Sequence, residues 1–217
     1  MAEHTIHRDG AQSLQGRRPP LRRIALALHR ARYAIVASAA VYLVSVVIGI
    51  ALASAGVPFA VDQRDSIVSS AQGGLITSAY NRGDRLEAAF LDFGANLLGS
   101  ATISITGISV IGPFPIAAYR GWVGGIVSID ANHVSRLTRA GDAAYYAVTM
   151  VLQLTGFILA MAAGLHVGVA SWRARNDTKV RSIAGVRIPV WSLTDAAWLY
   201  VLVVPISLIA SLWEFLS

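Results

Sequence analysis

The stretch AIVASAAVYLVSVVIGIALASA, residues 34–55, carries no charged side chain. That restricts the solvent it can occupy. A helix needs about 20 mainly apolar residues to cross the hydrocarbon core of a bilayer, and this run supplies them before Pro58 interrupts it. Similar runs recur at 90–111, 116–129, 145–170 and 196–216. Only 14% of the residues are charged, where a soluble domain has about 25%. The chain therefore reads as an all-α polytopic membrane helix bundle of about five transmembrane helices.

The segment 116–129 is the least regular of the five. It is short, follows Pro113 and Pro115, and contains Arg120 and several glycines. Taken alone it suits a tilted span, a half-span or a re-entrant piece. Loop charges help to decide, because cytoplasmic loops carry the excess of Lys and Arg. Arg8, Arg17, Arg18, Arg22, Arg23, Arg30 and Arg32 precede the first span. Arg173, Arg175, Lys179, Arg181 and Arg187 lie between the last two. The loop 56–89 balances Arg64, Arg82 and Arg85 against Asp62, Asp65, Asp84 and Glu87. Two basic segments on one side require an even number of crossings between them. A full third crossing is therefore expected, with the N-terminus cytoplasmic and the C-terminus outside.

Residues 1–33 form a basic cytoplasmic arm, and residues 34–217 form the membrane domain. The polar stretch 1–20 has the composition of a disordered tail. The stretch LRRIALALHRARY, 21–33, alternates basic and apolar residues. It suits either a short interfacial helix on anionic headgroups or a topological anchor for the first span. ASA at 53–55 resembles a signal-peptide cleavage site, but the apolar run is longer than an h-region. In the outer loop, Asp84 stands where it can cap the helix leading into the second span.

The sequence contains no Walker loop, HExxH or GxSxG motif, and no cysteine. Its five histidines lie on separate segments. No catalytic set, metal site or cofactor is expected. The basic arm lacks aromatic interleaving, so its charge points to a lipid surface and not to nucleic acid.

The informative residues are polar ones at membrane depth, where a charge costs about 2.5–3.5 kcal/mol on insertion scales. Asp92 and Asn96 are four apart and share a helical face. Asp92 suits the interface near a helix N-terminus, and Asn96 lies deeper, where it can bond across helices. Arg120 is placed to snorkel to the cytoplasmic headgroups. Gln153 lies one or two turns inside the fourth span. His166 lies near that span's cytoplasmic end, where the helix dipole favours a basic group. Glu214 suits an interface or a helix contact. Gly121 and Gly125 are four apart, as are Gly164 and Gly168, a spacing that lets another backbone approach closely.

Three stretches resemble the stage II sporulation protein M family of integral membrane proteins. In NLLGSATISITGISVIGPFPIAAYRGWVGGIV, Asn96 stands where the family has an asparagine opening its second span, and Gly121 and Gly125 stand at family glycines. In AAGLHVG, His166 takes the place of a basic residue between Gly164 and Gly168. In VVPISLIASLWEFLS, Pro205 and Glu214 match a terminal proline-to-glutamate pattern. The likeness covers roughly residues 30–217. It departs in the fourth span, where Val148, Thr149, Met150 and Gln153 replace a Pro-His-Gly tripeptide and a glutamate. Arg120 also replaces an asparagine before Gly121.

The resemblance implies a non-enzymatic membrane scaffold, or a subunit of a multiprotein cell-envelope complex, in a bacterial plasma membrane. The family's founding members act with cell-wall-degrading enzymes during forespore engulfment. Partners would be the bilayer and other membrane or envelope proteins, and a homo-oligomer is compatible with the glycine stripes. The alternative is a transporter or the permease subunit of an export system, with Asp92, Asn96, Gln153 and the broken IGPFP region lining a polar path.

Overall fold

A computed structural model describes residues 19–138, 141–174, 179–183 and 185–216. The tail 1–18, with Arg8, Arg17 and Arg18, and Arg175 lie outside the described residues. The chain is mostly helical, and four helices are long and apolar enough to cross a membrane: Pro20–Ser54, Arg85–Ser109 (with its terminal 3₁₀ turn), Ala143–Arg173 and Val190–Leu216. This constitution points to a membrane protein.

Helix α1, Pro20–Ser54, begins on a proline, whose fixed φ and missing N–H suit a first helical turn. Its 35 residues extend about 52 Å at 1.5 Å per residue, well beyond a hydrocarbon core of about 30 Å. The stretch 21–33 is therefore no separate helix. It contains no glycine or internal proline to break the ladder, so it continues directly into the apolar run.

Two shorter helices follow, α2 at Pro58–Gln72 and α3 at Leu75–Asn81. Helix α4, Arg85–Thr106, is capped by Asp84, whose side chain accepts the Glu87 N–H at 3.1 Å. A 3₁₀ turn at Gly107–Ser109 leads to Val110 at φ +65°. Ser109 Oγ donates to the Thr106 carbonyl at 2.7 Å and accepts the Gly112 N–H at 2.8 Å, which closes this reversal.

Helix α5, Pro113–Val127, is the segment expected to be the third span. It has 15 residues, about 22 Å of helix, and so falls short of the four long helices. Pro113 fixes its start, and Ser128 Oγ donates to the Gly125 carbonyl at 2.7 Å where it stops. It runs parallel to α1: Gly121 lies on Tyr42 and Ser45, and Gly125 on Val46, Gly49 and Ile50. Beyond it, His133 Nδ1 lies 3.0 Å from the carbonyl of Ala53, near the C-terminal end of α1. Helix α5 with its following loop thus reaches from one end of the bundle towards the other.

Helix α6, Ala143–Arg173, is the most enclosed, and α7, Val190–Leu216, returns antiparallel to it. Between them lies an element not expected in an all-α chain, the antiparallel hairpin β1 (Val180–Ile183) and β2 (Val186–Pro189). Gly185 in its turn has φ +80°, which glycine adopts without steric cost.

The packing inverts that of a soluble protein. The buried stripe of α1 is Ala27, Ala31, Ser38, Tyr42, Val46, Gly49 and Ala53, while Val36, Leu43, Val44, Val47 and Ile48 face outward. Lipid tails solvate large aliphatic groups as well as a protein core does. Helices in a bilayer therefore associate through close contact of small residues and through interhelical hydrogen bonds. A second small cluster, Ala53, Ala60, Ile126 and Ile129, fastens α2 to the far ends of α1 and α5. Arg64 on α2 is 4% exposed and donates to the Asp130 carbonyl at 2.6 Å and to Asp65 at 2.9 Å.

Candidate functional site

The sequence-selected residues fall into three places. The first is a seam between α4 and α6. Gly164 abuts the main chain of Ser104, and Gly168 abuts the carbonyl of Gly107. At this close approach Ser104 Oγ donates to the Ala160 carbonyl at 2.5 Å. Tyr200 of α7 places its hydroxyl 2.7 Å from Ser104 Oγ and 3.0 Å from the Ser100 carbonyl. Gly121 and Gly125 form the corresponding seam between α5 and α1. Both glycine stripes are thus covered within the chain.

The second place is a polar network in the half of the bundle nearer α2 and α3. Asn96 Nδ2 donates to Asp92 Oδ2 at 2.8 Å, and Ser211 Oγ of α7 donates to the same oxygen at 2.7 Å. Gln153 Nε2 donates to Glu214 Oε2 at 2.6 Å. The Tyr145 hydroxyl donates to the Glu214 main-chain carbonyl, also at 2.6 Å. These bonds tie α4 and α6 to α7. Each carboxyl group accepts from neutral side-chain donors.

Beside this network is a cavity of about 830 Å³. Its lining includes Asn96, Gln153 and Glu214, together with Tyr42, Arg120, Arg136, Tyr146 and Phe157. Arg120 does not reach towards the end of the bundle where α5 begins. It is the middle residue of α5, and its side chain turns inward. The guanidinium carbon lies 4.6 Å from the centroid of the Phe157 ring, a cation–π geometry. Gly99 of α4 lies directly against the guanidinium, and a Cβ there would collide with it. Among the described residues Arg120 forms no hydrogen bond and no ion pair. Arg136 differs, since its Nη1 donates to the Tyr146 hydroxyl at 2.7 Å.

The third place lies at the opposite end, where α1 and α7 begin and α6 finishes. His166 Nε2 lies 3.2 Å from Asp195 Oδ2, and Arg30 Nη1 lies 3.4 Å from both Asp195 oxygens. The Asp195 and His166 side chains are 7% and 10% exposed, whereas that of Arg30 is 49% exposed. Trp191 meets the His166 ring edge-on at 5.5 Å. A cavity of about 850 Å³ opens here, lined by Arg30, Tyr33, His166, Arg173 and Trp191 over an apolar floor that includes Phe114 and Leu165.

Sequence reasoning missed Asp195, Tyr42, Gly99 and Gly107. Asp195 was visible as one carboxylate beside an apolar run, but nothing in the sequence connected it to His166. Gly99 and Gly107 have no glycine four residues away, their nearest being Gly94 and Gly112 at five, so the stripe rule does not select them.

The described residues contain no group of three or more His, Asp or Glu placed to hold a metal ion. No protein-family model, curated protein or solved structure matches the chain.

Proposed function

We propose that this chain is a non-enzymatic, multi-pass subunit of a protein complex in a bacterial plasma membrane, related to the stage II sporulation protein M family. On this reading α5 and the loop after it complete a fifth crossing. The N-terminal end of α1 and the β-hairpin are cytoplasmic, and α2, α3 and the end of α7 lie outside.

The division between small and large residues carries the proposal. The glycine seams and polar pairs are occupied in holding the helices together. The outward face of α1, with Val36, Leu43, Val44, Val47 and Ile48, is left for lipid or for the helices of a partner. Among the described residues, little chain lies outside the bundle. The proposal is tested by purifying the tagged protein from its own membranes in mild detergent and identifying what accompanies it by mass spectrometry. A stoichiometric envelope protein is expected. A monodisperse preparation without one would reject the subunit role.

A second reading, the membrane subunit of a transport system, is favoured by one observation, the polar cavity that contains Arg120. Asn96→Ala and Gln153→Ala would then lower flux at equal protein abundance. An effect on abundance alone would remove this reading.

A further inference from the structure

We propose that the cavity around Arg120 binds an organic anion, with a carboxylate or phosphate head and a flat apolar body. The inference goes beyond both functional readings, since such a site serves a conducting path or a subunit that responds to a ligand.

Three observations lead to it. First, Arg120 is a cation in the middle of a helix within the bundle, held over Phe157 without a counter-ion among the described residues. An ionisable group placed this way marks a functional site by default, because its burial is costly unless something offsets it. Second, Tyr42 is fully buried and lines the same cavity, yet its hydroxyl forms no hydrogen bond. Its ring stacks on the same Phe157, with centroids 6.4 Å apart. A buried hydroxyl without a partner needs an explanation; it is closed off from the cavity as the ring stands, and a small movement of the ring on binding would give it an acceptor there. Third, the charge of the lining favours an anion. Arg120 and Arg136 stand against the single carboxylate Glu214, whose Oε2 is already held by Gln153.

A planar guanidinium presents donors in a fork that matches a carboxylate or a phosphate. Gly99 leaves the space in which that fork sits. The remaining wall of Tyr119, Tyr146, Phe157 and Val123 would cover an apolar body. The head is thus expected to accept from Arg120 and from the Tyr42 hydroxyl.

The test uses the full chain in phosphatidylcholine nanodiscs, with benzoate and phenyl phosphate as probes and benzamide as the uncharged control. Binding is followed by calorimetry and by thermal unfolding, against empty nanodiscs. Saturable binding of at least one anion and none of benzamide is expected. Arg120→Gln should abolish it, and Tyr42→Phe should weaken it about ten-fold, the loss of one hydrogen bond to a charged group. If Arg120→Gln does not fold, Tyr42→Phe decides alone. Adding phosphatidylglycerol separates the sources: competition with the probe assigns the acidic head to a lipid, and its absence assigns it to a free solute. Equal binding of benzamide, no saturable binding of either anion at millimolar concentration, or unchanged affinity in the variants would overturn the proposal.

Discussion

Gly164 faces the main chain of Ser104 so closely that a methyl group on it would overlap the Ser104 carbonyl. Backbone cannot move aside as a flexible side chain can. Gly164→Ala should therefore push α4 from α6 and disturb the Ser104–Ala160 bond, at a cost of about 1–3 kcal/mol for overpacking, and Gly164→Leu should cost more. The comparison is Gly124→Ala on α5, where nothing lies within 4 Å of the added carbon. Thermal unfolding in detergent should show a clear loss for Gly164→Ala and no loss for Gly124→Ala. Equal behaviour would mean that the seam does not hold the helices.

The Gln153–Glu214 hydrogen bond joins α6 to α7 at the end of the bundle nearer α2 and α3. A double-mutant cycle with Gln153→Leu and Glu214→Leu isolates its contribution. Interhelical bonds in membranes are worth about 0.6 kcal/mol on average and at most about 1.7. A short bond of 2.6 Å should lie towards the upper end. Strict additivity of the two substitutions would show that the pair does not couple the helices.

How much of this was legible beforehand depends on the reach of each signal. The long helices were readable because hydrocarbon thickness sets their length. Their starts were not: α1 begins well before residue 34, since helix and hydrophobic span are different properties and basic residues continue a helix freely. The hairpin leaves a trace in KVRSIAGVRIP, where two alternating stretches flank Ala-Gly, but Lys179, Arg181 and Arg187 make charge the louder signal there. The glycine stripes were visible from spacing, yet which helices they meet is a tertiary fact. Arg120 went the other way. The sequence suggested a short route to the headgroups, while the opening left by Gly99 and the ring of Phe157 draw it inward.

Asp195 holds two partners at the other end of the bundle, Arg30 on α1 and His166 on α6. Removing the buried carboxylate breaks both contacts, whereas removing Arg30 takes away a half-exposed group whose attraction is screened by solvent. Asp195→Ala should thus lower the unfolding temperature several times more than Arg30→Ala, which should cost less than about 1 kcal/mol. Similar losses in the two variants would show that Asp195 acts mainly through Arg30.

The proposed topology is tested by labelling, which the chain makes simple because it contains no cysteine. Ser70 on α2, Ala131 after α5 and Ser182 in the hairpin are all exposed, and each can be replaced singly by cysteine. In right-side-out vesicles, a membrane-impermeant maleimide should modify Ser70→Cys and Ala131→Cys directly. It should reach Ser182→Cys only after permeabilisation. Ala131→Cys is the decisive position. Helix α5 is shorter than the bilayer core, so the fifth crossing depends on the loop beyond it emerging with α2. Modification of Ala131→Cys only after permeabilisation would return α5 to the side on which it began. Five crossings would become four, and the charge-based orientation of the hairpin would have to be abandoned.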